Sequence, residues 1–221
     1  REAKDIVGGL TYTSKMPCPS ISIPSHACIT GAKLVKIKGS TCEGCYTFGG
    51  MYNFPAGKLA RDKRLSKLYN PKWVEAMVTL IKSRRNYKKG KDYFRWHDSG
   101  DIQGIIHLCN IMQVAELTPD CDHWLPTREN DFLKAFVEGG GIVPSNMYVR
   151  VSALMIDGLP PTKFVNKLNA HDNVKGFIGT STVHKKEEAI GSSCIAYTQG
   201  GECKDCRTCW STELNVSYPK H

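Results

Sequence analysis

The sequence predicts an α/β protein, a partial or open parallel (β/α) barrel with cysteine-rich, loop-rich segments at both termini. Strand-like and helix-like runs alternate from Tyr93 to Thr198, which implies βαβ units and a parallel sheet. The residues just past each strand-like run are polar, as expected where parallel α/β folds gather their chemistry. The strand-like runs are too few for a closed eight-stranded barrel. One domain suits 221 residues, divided into cysteine-rich loops over 1–54, β/α units over 55–198 and a cysteine-cluster segment over 199–221.

The first fifty residues are rich in Pro, Gly, Ser and Cys and offer only short strands, at Leu10–Thr13 and Leu34–Ile37. From Pro55, "PAGKLARDKRLSKLY" and "PKWVEAMVTLIKSRR" repeat apolar residues at three- and four-residue steps, with Pro55 and Pro71 near the first helical positions. Tyr93–Trp96 reads as a strand and "IQGIIHLCNIMQVAELTP" as a helix. A second strand ends at Leu125 or Pro126, followed by "DFLKAFVEGGG", a helix closed by glycines. "NMYVRVSAL" and "VKGFIGTSTV" are further strands separated by a helix near "PPTKFVNKLNA", and "SCIAYT" is strand-like.

Hydrophobic residues make up 41% of the chain and charged residues 23%, proportions that exclude a long disordered tract. No apolar run reaches the length of a membrane span, and "REAKDIVGGL" lacks the apolar core of a secretory signal. The expectation is a cytoplasmic protein without a membrane partner, and its start without Met is that of a trimmed chain. A formal charge of +9 points to a polyanion: DNA or RNA bound by a basic patch around Arg61–Lys91. The plainer reading of the same patch is two solvated helix ends.

Ten cysteines in a chain large enough to build its own core read as metal ligands rather than as a disulfide framework. Cys109 and Cys121 lie in apolar or mixed segments and are expected as buried thiols. Cys203, Cys206 and Cys209 have the consecutive two-residue spacing that wraps a corner of a [4Fe–4S] cluster, and Cys194 is the natural fourth ligand. Zinc held by four thiolates is the rival. At the other end Cys42 and Cys45 form a two-thiol clamp that Cys28 and Cys18 can join by looping back. Spacing leaves open one shared centre or two.

"RWHDSGDI" crowds Arg95, His97, Asp98, Ser99 and Asp101 onto a strand end. Strand alternation puts Arg95 and His97 on one face, and Ser99 or Asp101 has the chemistry to cap the helix that comes next. Thr127, Arg128 and Glu129, then Arg150 and Ser152, then Thr180 to His184 are expected on the same rim. Asp98, Asp101 and Glu129 are the candidate catalytic carboxylates. Ser99, Gly100, Asp101, Arg128, Arg150 and Ser152 are the candidate cofactor-binding residues, and His123 and His171 are expected to be structural.

"CEGCYTFGGMYNFP", "FRWHDSGDI", "WLPTRE" and "CKDCRTCW" together resemble the phage gene-product-eighty-eight family over roughly Cys18 to His221. The resemblance implies a virus-encoded protein of the host cytoplasm with iron–sulfur character. More distantly, the layout is similar to radical S-adenosylmethionine enzymes, in which a three-cysteine loop after the first barrel strand holds a [4Fe–4S] cluster with one open iron. A Gly-Gly-Glu turn after their second strand holds the cofactor's amino group. By that resemblance Cys28, Cys42 and Cys45 would hold the cluster and the Ser99–Asp101 turn would face S-adenosylmethionine. The spacing Cys28-x13-Cys42-x2-Cys45 and the short side chain of Asp101 depart from that pattern, and ligation by Cys18 would close the open iron. The expected activity is redox or radical chemistry on a nucleotide or nucleic acid. One rival is a non-enzymatic nucleic-acid-binding protein stabilised by a cluster or zinc. Another is a zinc-stapled base-exchanging enzyme similar in plan to guanine transglycosylases, with Asp98 or Asp101 as nucleophile.

Overall fold

The computed structural model describes residues 1–14, 16–83 and 92–220. The part of the expected basic patch over 84–91 lies outside the described residues. In chain order the elements are α1 (Glu2–Val7), β1 (Ser20–Ser22), α2 (Ile29–Leu34), α3 (Pro55–Leu65), α4 (Trp73–Lys82), β2 (Asp92–Ser99) and α5 (Ile105–Glu116). They continue with β3 (Cys121–Thr127), α6 (Asn130–Glu138), β4 (Met147–Ser152), α7 (Thr162–Asn169), β5 (Phe177–His184), β6 (Ser192–Ser193) and β7 (Asn215–Pro219).

The strands form one open sheet in the order β1-β2-β3-β4-β5-β7-β6, and every adjacent pair is parallel. An α/β fold with an open parallel sheet is therefore what the alternation of elements encodes. Helices α1, α4, α5, α6 and α7 pack side by side in that order against one face. Alternate strand residues such as Phe94, Trp96, Leu125, Val149, Val151 and Ile178 meet Met77, Leu108, Ile111, Leu133 and Val165 there, all fully buried. The other face carries a second, aromatic cluster of Cys18, Trp124 and Trp210, flanked by Met16, Tyr93, Tyr148, Cys209 and Tyr218.

Several local expectations are overturned. Leu34–Ile37 is not a strand: Leu34 ends α2, a helix whose first turn is held by the carboxylate of Glu129 at the end of β3. Leu10–Thr13 contributes only a single antiparallel bridge, Thr11 to Ser20. "SCIAYT" yields the two-residue β6 and then a 3-10 turn over Ala196–Gln199. Cys109 is exposed rather than buried, because the buried face of α5 runs through His107, Leu108, Ile111, Met112, Val114 and Ala115 and position 109 falls to its outer side. The short strands β1 and β7 and the helix α1 were not expected. Among the described residues no helix is long and apolar enough to cross a membrane.

Candidate metal centre

Eight of the ten cysteines fall into two groups, while Cys109 on α5 and Cys121 at the start of β3 stand apart. After β1 the chain crosses the carboxyl ends of the next strands, and each crossing is pinned by a rim residue. Glu129, just past β3, accepts hydrogen bonds from the N–H and hydroxyl of Thr30, both at 2.8 Å, satisfying a first-turn donor of α2 that would otherwise lack a partner. Arg128 donates through Nε to Thr41 Oγ1 at 3.0 Å, and Thr41 N–H reaches the carbonyl of Leu154 at 2.9 Å. Cys28 precedes α2 and Cys42 follows Thr41, so these contacts set both thiols. The sulfurs of Cys28 and Cys42 each lie 3.6 Å from where a Cβ on Gly31 would stand. They are therefore no more than twice that distance apart, and a side chain at position 31 would crowd between them. Cys45 Sγ lies 3.0 Å from Thr47 Oγ1. Burial pushes the Cys28 thiol up to about 12, and the charges of Asp101, Cys42, Cys45 and Glu129 push the same way. Burial also raises Cys42, against the pull of Arg128.

The end of β2 is irregular where the chemistry was expected. Ile21 pairs with Trp96 but Ser22 pairs with Ser99, so His97 and Asp98 form a bulge, with His97 at φ 57. The expected alternation of Arg95 and His97 on one face fails for this reason. His97 turns to the helix layer, its ring 5.3 Å from that of His107, while Arg95 stays on the opposite face with its guanidinium 4.7 Å from the centre of Trp124. Asp98 is buried and accepts from Ser20 Oγ at 2.8 Å and Tyr52 OH at 3.4 Å; burial raises its pKa. Ser99 donates to the carbonyl of Ile23 at 3.0 Å. Gly100 sits at φ +87, and a Cβ there would lie 2.2 Å from Ile23 Cγ1, so the turn abuts β1 only because this residue has no side chain.

Asp101 does not cap α5, whose N-cap is Gly104 without a side-chain bond. It accepts instead from Thr127 Oγ1 at 2.7 Å, Arg128 N–H at 2.9 Å and Ile102 N–H at 2.8 Å, tying the end of β2 to the end of β3. Burial lifts its pKa to about 6 against those three bonds. Asp101 and Glu129 thus stand beside the Cys28 group and Arg128 beside Cys42. Ser152 is buried and bonded to Ser181 Oγ at 3.1 Å.

Cys18 belongs elsewhere. It packs with Trp124 and Trp210, and burial pushes its thiol up to about 12 while Arg95 and Arg207 pull it down and Cys203 and Cys209 push it up. Cys203 in turn feels Cys194 and Cys206 and lies 3.9 Å from the thioether of Met16, which accepts from Arg95 at 3.6 Å. Cys209 Sγ lies 3.3 Å from Tyr218 OH, and Trp210 donates through Nε1 to the carbonyl of Phe94 at 3.1 Å. Arg150, expected at a cofactor cavity, is fully buried and donates to the carbonyls of Ser211 at 2.7 Å, Thr208 at 3.2 Å and Glu213. It fastens the terminal cysteine segment to the middle of β4. Thr180 and Thr182 bond Asn215 and Ser217 of β7, and His123 is a structural residue between Trp96 and Thr118. Thr30, Thr41 and Met16 went unnoticed in the sequence, which carries no local signal for them; Tyr46, next to Cys45 and donating to the carbonyl of Asp98 at 2.8 Å, did have one.

Among the described residues no three His, Cys, Asp or Glu side chains are placed to hold a metal ion as they stand. Fold and site define an open parallel α/β protein in which eight of the ten cysteines form one group of three at the strands' carboxyl ends and one of five on the aromatic face. The chain belongs to the Gene product 88 family, whose model matches residues 2–212. No curated protein and no solved structure matches it.

Proposed function

We propose an iron–sulfur protein in which Cys28, Cys42 and Cys45 hold a [4Fe–4S] cluster with one iron open, and in which Cys194, Cys203, Cys206 and Cys209 hold a second, closed centre. The observation that carries this reading is the position of Cys18, which lies with Cys203 and Cys209 and leaves three thiols without a fourth beside Asp101. The donor chemistry fits: all-thiol sets suit clusters, and a cubane spreads its ligands wider than a single ion does. A bound cluster supplies single electrons, with S-adenosylmethionine as the proposed cofactor and a nucleotide or nucleic acid as the proposed substrate. The chain's own part is to hold the loop rigid through Glu129, Arg128 and Asp101. Cys42 is buried and Cys28 and Cys45 are half-buried, and the protons of the raised thiols are released on loading.

Anaerobic iron and sulfide analysis with an absorption spectrum tests the proposal. The parent should be brown; Cys28→Ser should lose part of its iron and Cys206→Ser a different part. Colourless protein with stoichiometric zinc would sink the cluster reading. Iron-loaded protein that forms no 5′-deoxyadenosine from S-adenosylmethionine would leave the non-enzymatic reading in its place.

A further inference from the structure

We propose that the rim around Cys45 is a docking surface for single-stranded nucleic acid, with Tyr46, Phe48 and Phe54 as a stacking platform. Residues 28–64 hold seven basic side chains against two acidic ones, Glu43 and Asp62, a surplus of five out of the chain's nine. More than half the net charge therefore sits in one sixth of the sequence, the loop that carries Cys28, Cys42 and Cys45 together with the following helix α3, where Arg64 alone of the seven is buried. Lys33, Lys36, Lys38, Lys58 and Lys63 are all exposed.

The same segment exposes three aromatic residues, Tyr46 at 60%, Phe48 at 48% and Phe54 at 59%. They are anchored. Tyr46 is fixed by its hydroxyl on the carbonyl of Asp98 at 2.8 Å and lies edge-on to Tyr52. Asn53 donates to the carbonyl of Phe48 at 2.9 Å, and Phe54 is the N-cap of α3, accepting from Lys58 N–H at 3.0 Å. Arg61 lies over the Tyr52 ring at 5.2 Å and donates to its carbonyl, joining the rings to α3. Exposed rings on a hydrogen-bonded backbone, in a segment that also exposes five lysines, match a strand whose phosphates are anionic and whose bases are free to stack. A duplex hides its base faces, and an acidic protein surface would use the lysines but not the ring faces.

This surface deepens the proposed function by naming its substrate class; binding stands on the rings and lysines alone, and only chemistry on the bound strand rests on the cluster. The test is fluorescence anisotropy of the as-isolated protein with a labelled oligo-dT twenty-mer, a duplex of equal length and poly-glutamate as competitor, over a salt series. The expected result is preference for the single strand. Phe48→Ala with Phe54→Ala should weaken it at least about 30-fold with the salt slope and urea midpoint unchanged. Lys33→Gln, Lys36→Gln and Lys38→Gln together should lower the slope by about two. No binding, an unchanged affinity in the ring variant, or equal competition by poly-glutamate would overturn the proposal. Iron is measured on the same samples: ring-dependent binding without iron removes the cluster and leaves this surface, and iron without binding does the reverse.

Discussion

Arg150→Met should open the terminal cysteine segment while leaving the sheet intact. Arg150 is fully buried, and its guanidinium bonds three carbonyls of one short stretch, at Thr208, Ser211 and Glu213. Its ring-face contact is Phe177, at 5.3 Å. Hydrogen bonds to a charged group are worth roughly 1.5–3 kcal/mol each, so three lost bonds remove on the order of 5–9 kcal/mol. The variant also no longer buries a charge, which returns several kcal/mol. The net loss is about 2–4 kcal/mol, or roughly 30- to 1000-fold in a local opening equilibrium. Because every lost acceptor lies within 208–213, the opening is local. Hydrogen exchange followed by mass spectrometry reads it: peptides covering 207–214, with Trp210 N–H bonded to Arg207 at 2.8 Å, should lose protection by that factor while peptides of β3 keep theirs. Unchanged protection in 207–214, or an equal loss through β2 and β3, would refute the assignment of Arg150 as the fastening of this segment.

Gly100→Ala should destabilise by roughly 2–5 kcal/mol, combining left-handed strain with overpacking against Ile23. Ile23→Ala should cost less in that background than in the parent, a coupling that urea midpoints of the four proteins would detect. Burial holds His107 and His123 down to about 3 from an ordinary 6.5. The unfolded chain therefore takes up protons below pH 6.5 that the fold refuses until near pH 3, and stability should fall as pH drops through that window. The limiting slope is about 2.7 kcal/mol per pH unit for the two rings. Asp101, lifted to about 6, opposes this below pH 6, so the rings are read from the difference in urea midpoint between the parent and a His107→Gln, His123→Gln variant. A difference that is flat between pH 6.5 and 5 would show that the fold accepts those protons.

How much the sequence disclosed depends on how each element is stabilised. Strands β2 to β5 and their helices bury apolar stripes, and stripes are visible as periodicity. Strand β1 reads "SIS": its serines are buried because Ser20 donates to Asp98 and Ser22 Oγ accepts from Arg64, partners more than forty residues away. The bulge at His97 depends on the register of β1 against β2, which no local pattern records. The rim residues Asp101, Arg128 and Glu129 follow strand-like runs and are placed on the rim by the sequence, since strand-end placement is a property of the fold class. Their actual work on Thr127, Thr41 and Thr30 needed the coordinates, and so did the removal of Arg150 from their company.

The placement of Cys18 ties the two ends of the chain to the openness of the sheet. Strand β1 forms one edge and β6 the other, and exposed edges invite pairing with other chains. Cys18 stands just before β1, and Cys194 comes directly after β6 with its N–H on the carbonyl of Ser217 at 2.8 Å. Between them the terminal segment crosses the aromatic face, carrying Cys203 and Cys209 to Cys18 and Trp210 between Tyr93 and Trp124. The segment thus covers that face of the open sheet and joins the regions of its two edges through side chains. Under the proposed reading, a centre bound by the terminal thiols lies on that bridge, with Cys194, next to β6, among its ligands and Cys18, next to β1, beside Cys203 and Cys209. Cys28, Cys42 and Cys45 are held by the strand ends alone, through Glu129 and Arg128. Loss of the terminal centre should therefore loosen the sheet's edges without displacing the three-thiol group, a separation of roles that arises from where the chain puts one cysteine.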